Sequence, residues 1–485
     1  MRLDEYAAMD ALAIAAAVRS GEVSALEVTE AAITAIKTLN PRLNALVLQD
    51  FDRARSAAQR VQLSAPLAGV PFLIKDVDVH VAEWPTTYSS QFFADAKPRP
   101  DSEIVARWRH AGTVFLGKTN TPEFAGDFAT EPAFRGATLN PWDRGVIVGG
   151  SSGGAAAAVA SGMVPVAHGS DVGGSIRVPA ACCGLFGLKP SRGLNPLGPY
   201  FGEMGGGLNC EHVLTRSVRD SAAFLDATAG PEPGAPYRVA KSVPSYLAAL
   251  EQPSAPLRIA CLSHRIDGSP VAPEIERRLV EAGALLETLG HQVVPSRFPP
   301  AVAADAAGEG WMALWVIDIA AVIAERAREL SREPGPGDIE QLPRHIVRWI
   351  GRMSALDYLE VRRLAYRVSL AMAREFDAFD MIMTPATGTL PPPLGLIASN
   401  APDFTYERWA DVAYGFAPFS EVFNVTGQPA ASLPMFQSES GLPIGIQLVG
   451  RQDQDHVLLR LAADLERATG WTARHPPLWA GRRGL

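Results

Sequence analysis

The stretch VGGSSGGAAAAVASG, Val148 to Gly162, decides how this chain is read. Four glycines and two serines stand between an apolar run, GVIV, and an alanine-rich one. Flexible Gly/Ser linkers are flanked by polar, uncommitted sequence. Here both flanks are of the buried kind. A glycine-rich tip between buried elements implies tight backbone geometry, positive φ included. The expected local structure is strand, tight turn, then a buried helix of small residues.

The same alternation continues outward. PFLIKDVDVH and TVFLGKT read as short apolar strands, and PDSEIVARWRHAG as a helix with Gly112 just past its end. SALEVTEAAITAIKTLNP opens on a capping box, Ser24 with Glu27, and is expected to stop at Asn40–Pro41. ASLPMF and GLPIGIQLVG return to strands, and Asp455 opens a last helix. Such alternation implies an α/β fold with a mostly buried sheet. Residues 230–256 are proline-rich and read as a surface excursion. From Val302 to Phe379 the pattern is helical and carries Trp311, Trp315 and Trp349. Core packing explains tryptophans of this kind; for Trp311 and Trp315 a pocket wall is the alternative, since large pockets are aromatic-lined. Length alone, 485 residues, suggests two or three domains.

Bulk properties exclude several classes. The net charge of −8 argues against a general binder of nucleic acid or anionic membrane. No apolar run reaches the roughly 18 residues of a membrane span. Asp4 and Glu5 precede the first apolar stretch, so a signal peptide is not expected. The four cysteines, Cys182, Cys183, Cys210 and Cys261, form no C-x-x-C pair and have no histidine cluster beside them. Buried free thiols, no metal site and a reducing, cytoplasmic setting are the expectation.

Two familiar motifs match by letter. Gly112 to Thr119, GTVFLGKT, fits the phosphate-loop pattern, but a helix precedes it and its middle is strand-like, the wrong order for cradling phosphate. GGSSG fits the nucleophile elbow of Ser-His-Asp hydrolases. That reading needs a downstream histidine; His264, His291, His345 and His456 are available, none in a readable loop signature. It stays open as an alternative.

A third pattern absorbs more of the chain. HGSDVGGSIRVPAACCGLFGLKP, residues 168–190, is a second glycine-framed serine loop, centred on Ser175. Upstream, Lys75 ends an apolar strand. Lysine is seldom buried without a reason; pairing with Asp76 or snorkelling to water is the plain alternative.

With these residues the sequence resembles the amidase signature family. The resemblance runs through LAGVPFLIKDV, GTVFLGKTNTPEF, NPWDRGVIVGGSSGGAAAAVASG, GSDVGGSIRVPAACCGLFGLKPSRG, FNVTGQPAASLP and GLPIGIQLVG. It implies one α/β/α domain over 1–485 around a large mixed sheet, with the core at about 68–195 and a helical, pocket-lining segment at about 300–380. That replaces the estimate from length. It implies amide hydrolysis by a Ser–Ser–Lys triad: Ser175 matches the nucleophile, Ser151 the bridging serine after a cis peptide, and Lys75 the base. Backbone N–H groups of Val172, Gly173, Gly174 and Ser175 match the oxyanion hole. Ser152 is similar to a serine that helps hold the lysine, and Asp171 with Arg177 to a pair that braces the nucleophile loop. The chemistry is coherent. An amide needs a proton taken from the nucleophile and another given to the departing amine. A lysine can do both once burial lowers its pKa, and a hydroxyl can relay because it donates and accepts. No metal or cofactor is implied; the partner is a small-molecule amide or carbamate, and a homodimer is compatible with the family.

KTNTPEF, TEPAFRGATLNPW and FNVTGQPAASLP look like the free-standing branch that includes 6-aminohexanoate cyclic-dimer hydrolases, aryl-amide hydrolases and carbamate-cleaving relatives. The glutamine-hydrolysing subunit of tRNA-dependent amidotransferases reads KTNMDEF at the first of these and is the alternative. Expected pocket residues are Phe124, Ala125, Gly126, Phe128, Tyr200, Phe201 and Trp315, besides Trp311.

Overall fold

Strand β2, Pro71–Lys75, is buried along its whole length, Lys75 included. Strands β3, Val114–Thr119, and β4, Val166–Asp171, are equally buried. Strands buried on both faces need helices on both faces, and the computed structural model, which describes residues 1–306, 312–397 and 399–482, has that layering. The other strands are β1 (Leu46–Gln49), β5 (Phe186–Lys189), β6 (Cys210–Thr215), β7 (Arg258–Leu262), β8 (Gln292–Ser296), β9 (Met381–Pro385), β10 (Ala430–Gln437) and β11 (Pro443–Gly450). They form one mixed sheet in the order β1-β3-β2-β4-β6-β5-β10-β11-β9-β7-β8. Parallel pairs join β3, β2 and β4 on one side and β9, β7 and β8 on the other; the centre is antiparallel. β2 and β4 are neighbours, so Lys75 and the loop after Asp171 emerge beside each other.

The helix after the first glycine-serine loop, Gly153–Ala160, has every residue buried. Its small side chains let it sit close to the sheet. A Cβ on Gly154 would lie 2.5 Å from the Asn120 nitrogen and 2.6 Å from the Ala45 carbonyl oxygen. Helices Met312–Leu330, Gln341–Ile350 and Ala355–Ala378 form the expected helical segment. Trp315 lies within it; Trp311 lies outside the described residues.

Two expected boundaries are corrected. GVIV is not a strand. Its contacts are isolated bridges, Leu139 to Ile147 and Val146 to Pro393, because the partners it meets are loops rather than a sheet edge. The helix expected to stop at Asn40–Pro41 runs from Ala25 to Leu43. Pro41 sits in the final turn, where it removes a single donor, and Asn44, at φ +51°, closes the end by donating its N–H to the Asn40 carbonyl at 2.8 Å. Residues 230–256 are irregular apart from the short helix Tyr246–Ala249, as expected.

Gly154→Ala separates helix propensity from packing. Propensity alone would stabilise the helix by about 1 kcal/mol. The crowded backbone predicts a net loss of about 1–3 kcal/mol instead, measured by denaturant unfolding.

Candidate active site

Lys75 is fully buried, and its Nζ lies 2.7 Å from Ser151 Oγ and 2.9 Å from Ser170 Oγ. Its backbone N–H donates to His168 Nδ1 at 3.2 Å. Since Nδ1 accepts there, the His168 ring proton sits on Nε2, 2.6 Å from Glu211 Oε2. Burial pulls the Lys75 amine down to about 8 against the opposing pull of Asp78, Glu211 and Asp171. The plain alternative of a Lys75–Asp76 pair is not realised. Asp76 pairs with Lys118 at 3.0 Å, and Lys118 also donates to Pro85 O and Thr86 Oγ1, both at 2.8 Å. That arrangement also removes the phosphate-loop reading, since Lys118 lies in β3 with its ammonium engaged.

Ser151 follows a cis peptide at Gly150, as expected, and is buried. Ser175, 8% exposed, precedes the helix Arg177–Cys183. Both serines line one cavity; no hydrogen bond joins their hydroxyls among the described contacts. Ser152 does not reach Lys75. Its N–H donates to the Ser175 carbonyl at 3.1 Å and its hydroxyl to the Ser170 carbonyl at 3.3 Å, so it ties the two loops together. Besides Ser151, the serine that touches the lysine is Ser170. Its signal was in the sequence: His168 and Ser170 alternate on β4 and so share the face turned to Lys75.

Asp171 braces the second loop. Its Oδ1 accepts from Gly174 N, Arg177 Nη2 and Asn424 Nδ2 at 2.8, 2.8 and 2.9 Å, and its Oδ2 from Ile176 N and Arg177 Nε at 3.1 and 3.0 Å. Burial would raise this carboxyl, but Arg177 and Asn424 outweigh it and hold it well below the usual carboxylate range. Arg177 Nη1 continues to Ser420 O and Gln447 Oε1 at 2.9 and 2.8 Å. The N–H of Gly174, included in the expected oxyanion set, is thus turned to Asp171. Those of Val172, Gly173 and Ser175 have no such partner among the described residues. Gly174 itself is at φ +131°, and a Cβ there would collide with the Ser420 hydroxyl, so only glycine fits.

The space in front of Ser175 has two lobes. One, of about 500 Å³, is walled by Asp78, Tyr88, Phe124, Ala125, Met204, Trp315 and Ile319 among others. The other, of about 360 Å³, is walled by Ala125, Gly126, Phe128, Trp409, Tyr414 and Glu421. Ala125, Val172, Ser175 and Trp315 belong to both. Phe124 and Ala125 hold left-handed φ values of +52° and +55°; backbone strain of this kind gathers at functional sites. Of the expected pocket residues, Phe124, Ala125, Gly126, Phe128 and Trp315 reach these lobes. Phe201 lines a neighbouring outer cavity instead. Tyr200 lines none of the three, because its ring packs on His80 and its hydroxyl donates to Pro100 O. Trp409 and Tyr414 were missed, since they lie far away in sequence without a local signature; Met204, a near neighbour of Phe201 in the chain, lines the first lobe in its place.

No histidine appears in the described lining of either lobe. His264 bonds Ser263, His291 accepts from Leu257 N, His345 stacks on Tyr406, and His456 bonds Ser242. Among the described residues no cluster of His, Cys, Asp or Glu could hold a metal ion, and no helix is long and apolar enough to cross a membrane.

This geometry has close counterparts. The chain matches the Amidase family model over residues 27–459. It is similar to the 6-aminohexanoate-cyclic-dimer hydrolase of Paenarthrobacter ureafaciens, 36% identical over 482 residues, covering 97% of this chain and 96% of that one. A solved 6-aminohexanoate cyclic dimer hydrolase complexed with substrate superposes with a TM-score of 0.93 at 34% identity, covering 97% and 99% of the two chains. A bacterial aryl acylamidase of the amidase signature family gives 0.87 at 28% identity, covering 96% and 99%. The chain therefore belongs to the amidase signature family. It is an amidohydrolase, acting on C–N bonds.

Arg177→Met would leave Asp171 buried without its counter-charge. Unfolding measurements should then register a loss of about 3–5 kcal/mol.

Proposed function

We propose that this amidohydrolase cleaves small apolar and aryl amides through Ser175, Ser151 and Lys75, with aryl carbamates and short oligoamides within its range. The observation that carries the reading is the buried Lys75 amine 2.7 Å from Ser151 Oγ. Neutral Lys75 takes the Ser151 proton as Ser151 takes that of Ser175. Ser175 Oγ then bonds to the carbonyl carbon. The oxyanion meets the N–H groups of Val172, Gly173 and Ser175, each such donor typically contributing roughly 2.7–4 kcal/mol. The Lys75 ammonium returns the proton through Ser151 to the leaving nitrogen as the C–N bond breaks. Water, deprotonated along the same relay, releases the acyl group. Carbamates need no further catalytic group, since the acyl-enzyme route is the same.

The substrate class follows from the lobes. Their walls are mostly aromatic and aliphatic, with a few polar groups near Ser175, as suits apolar or aryl substituents. The named activities of the cyclic-dimer hydrolase and aryl acylamidase relatives support oligoamide and aryl-amide substrates respectively.

Amine release from an aliphatic amide, an anilide, an amino-acid oligoamide and an aryl carbamate tests this reading. Wild type should release amine from at least one member, and folded Ser175→Ala from none; an active Ser175→Ala would overturn the mechanism. The pH profile is a second check. Lys75 acts as the neutral amine and burial lowers its pKa to about 8. kcat/KM should therefore climb with pH and level off above about 8. A profile already flat from pH 6 would contradict a lysine base. Gly126→Leu should block bulky anilides before small amides, because Gly126 lines only the second lobe; equal loss across sizes would count against that lobe holding substrate.

A further inference from the structure

The helix Ala355–Ala378 is apolar on two sides. Its inner face buries Val368, Met372 and Phe376 in the cluster that holds Phe298, Phe419 and Phe423. Its outer face carries Leu356, Leu359, Tyr366 and Leu370, which are 74%, 49%, 69% and 43% exposed. A helix that only covers a core has one apolar stripe and a polar back. Ten large hydrophobic side chains are exposed among the described residues, and four of them are these. Apolar residues scattered singly over a surface are ordinary, whereas a grouped set marks an interaction site.

Their spacing is that of a coiled-coil seam. Leu356, Leu359, Arg363, Tyr366, Leu370 and Ala373 recur alternately three and four residues apart, as the a and d positions of successive heptads do. A second copy of the same helix fits this seam, and the charges fix its direction. Asp357 and Glu360 lie in the first half of the helix, Arg367 and Arg374 in the second, all exposed. Run antiparallel about a two-fold axis, Leu359 of one copy faces Leu370 of the other, and Leu356 faces Ala373. The Arg363 guanidinium meets the Tyr366 ring, a cation–π contact. Glu360 then lies beside Arg367, and Asp357 beside Arg374, each pair occurring twice by symmetry. Parallel packing would instead set Glu360, Arg363 and Arg367 each against its own copy. Glu360 and Arg363 are ion-paired within the helix, but both are well exposed, so that pair holds them only weakly.

We infer that the chain forms a two-fold dimer in which Ala355–Ala378 packs antiparallel on its own copy. A lipid surface is the other natural cover for an apolar stripe, and it calls for a basic polar face. The exposed charges of this helix are three acids and three bases, and the whole chain carries −8. The inference stands apart from the Ser–Lys reading, although the helix does reach the catalytic frame. Ser369 Oγ donates to the Val425 carbonyl at 3.1 Å, and the adjacent Asn424 donates to Asp171.

Sedimentation velocity of the full chain over a dilution series tests the dimer, with circular dichroism to confirm folding of each variant. Wild type should sediment as a dimer that dissociates on dilution. Leu359→Glu/Leu370→Glu sets carboxylates against one another on the seam and should raise the dissociation constant on the order of a hundredfold or more. Direction is tested with a short thiol cross-linker. Leu359→Cys alone and Leu370→Cys alone should give no linked dimer, and a mixture of the two should. Wild type, with Cys182, Cys183 and Cys210 buried, is the blank. A wild type that stays monomeric throughout would overturn the inference, as would a dimer that the double glutamate variant leaves intact. Linking of either single cysteine variant to itself would overturn the antiparallel arrangement. Binding of monomeric wild type, but not of the Leu359→Glu/Leu370→Glu variant, to vesicles of anionic phospholipid would make a membrane the occupant and overturn the dimer.

Discussion

An amine held out of water beside two hydroxyls is the interaction on which the rest of this structure depends. Lys75 has no bulk solvent to stabilise its ammonium, and burial is the largest influence on its pKa. Burial alone would pull the amine lower still. The buried acids around it, Asp78, Glu211 and Asp171, oppose that. The outcome is a base near neutrality, where proton transfer in both directions is most useful. The fold serves this balance. β2 delivers Lys75, β4 delivers His168 and Ser170 on one face, and β6 delivers Glu211 behind them.

Placing the serines is a separate task, met by backbone rather than charge. Gly149 takes φ +81° against the Pro179 backbone, and the small-residue helix then draws Ser151 onto Lys75. The second loop is fixed by Asp171, whose two oxygens gather N–H groups from its own loop and the Arg177 guanidinium. Among the described residues the Val172, Gly173 and Ser175 N–H groups have no partner within that loop. The two loops are then tied through Ser152, which bonds to carbonyls of both Ser170 and Ser175. The GGSSGG segment is thus a junction between loops, which explains its buried flanks.

Much of this was legible in the sequence, for physical reasons. Lys75 in an apolar strand and two glycine-framed serine loops are local signals, and local signals survive without a fold. The Asp171–Arg177 pair was implied by the family resemblance, and it bridges the end of β4 and the start of the next helix. Contacts between distant segments were not: Trp409 and Tyr414 line the site through tertiary packing alone. Tyr200 misled because an aromatic in a glycine-rich loop resembles a pocket residue until its hydroxyl is seen bonded to Pro100. GVIV misled because apolar residues are also needed where a loop is buried. Ser170 shares a face of β4 with His168, a strand period the sequence held but which becomes decisive only once β4 is placed beside β2, whereas Ser152 caps the start of a helix and bonds to loop carbonyls.

The most direct measurement is covalent trapping. The enzyme would be mixed with a slowly hydrolysed aryl carbamate, quenched in acid, and its peptides mapped by mass. The account predicts the acyl group on the peptide containing Ser175, in wild type and not in Lys75→Met. An adduct on Ser151 or on a histidine, or full labelling of Ser175 without Lys75, would contradict it.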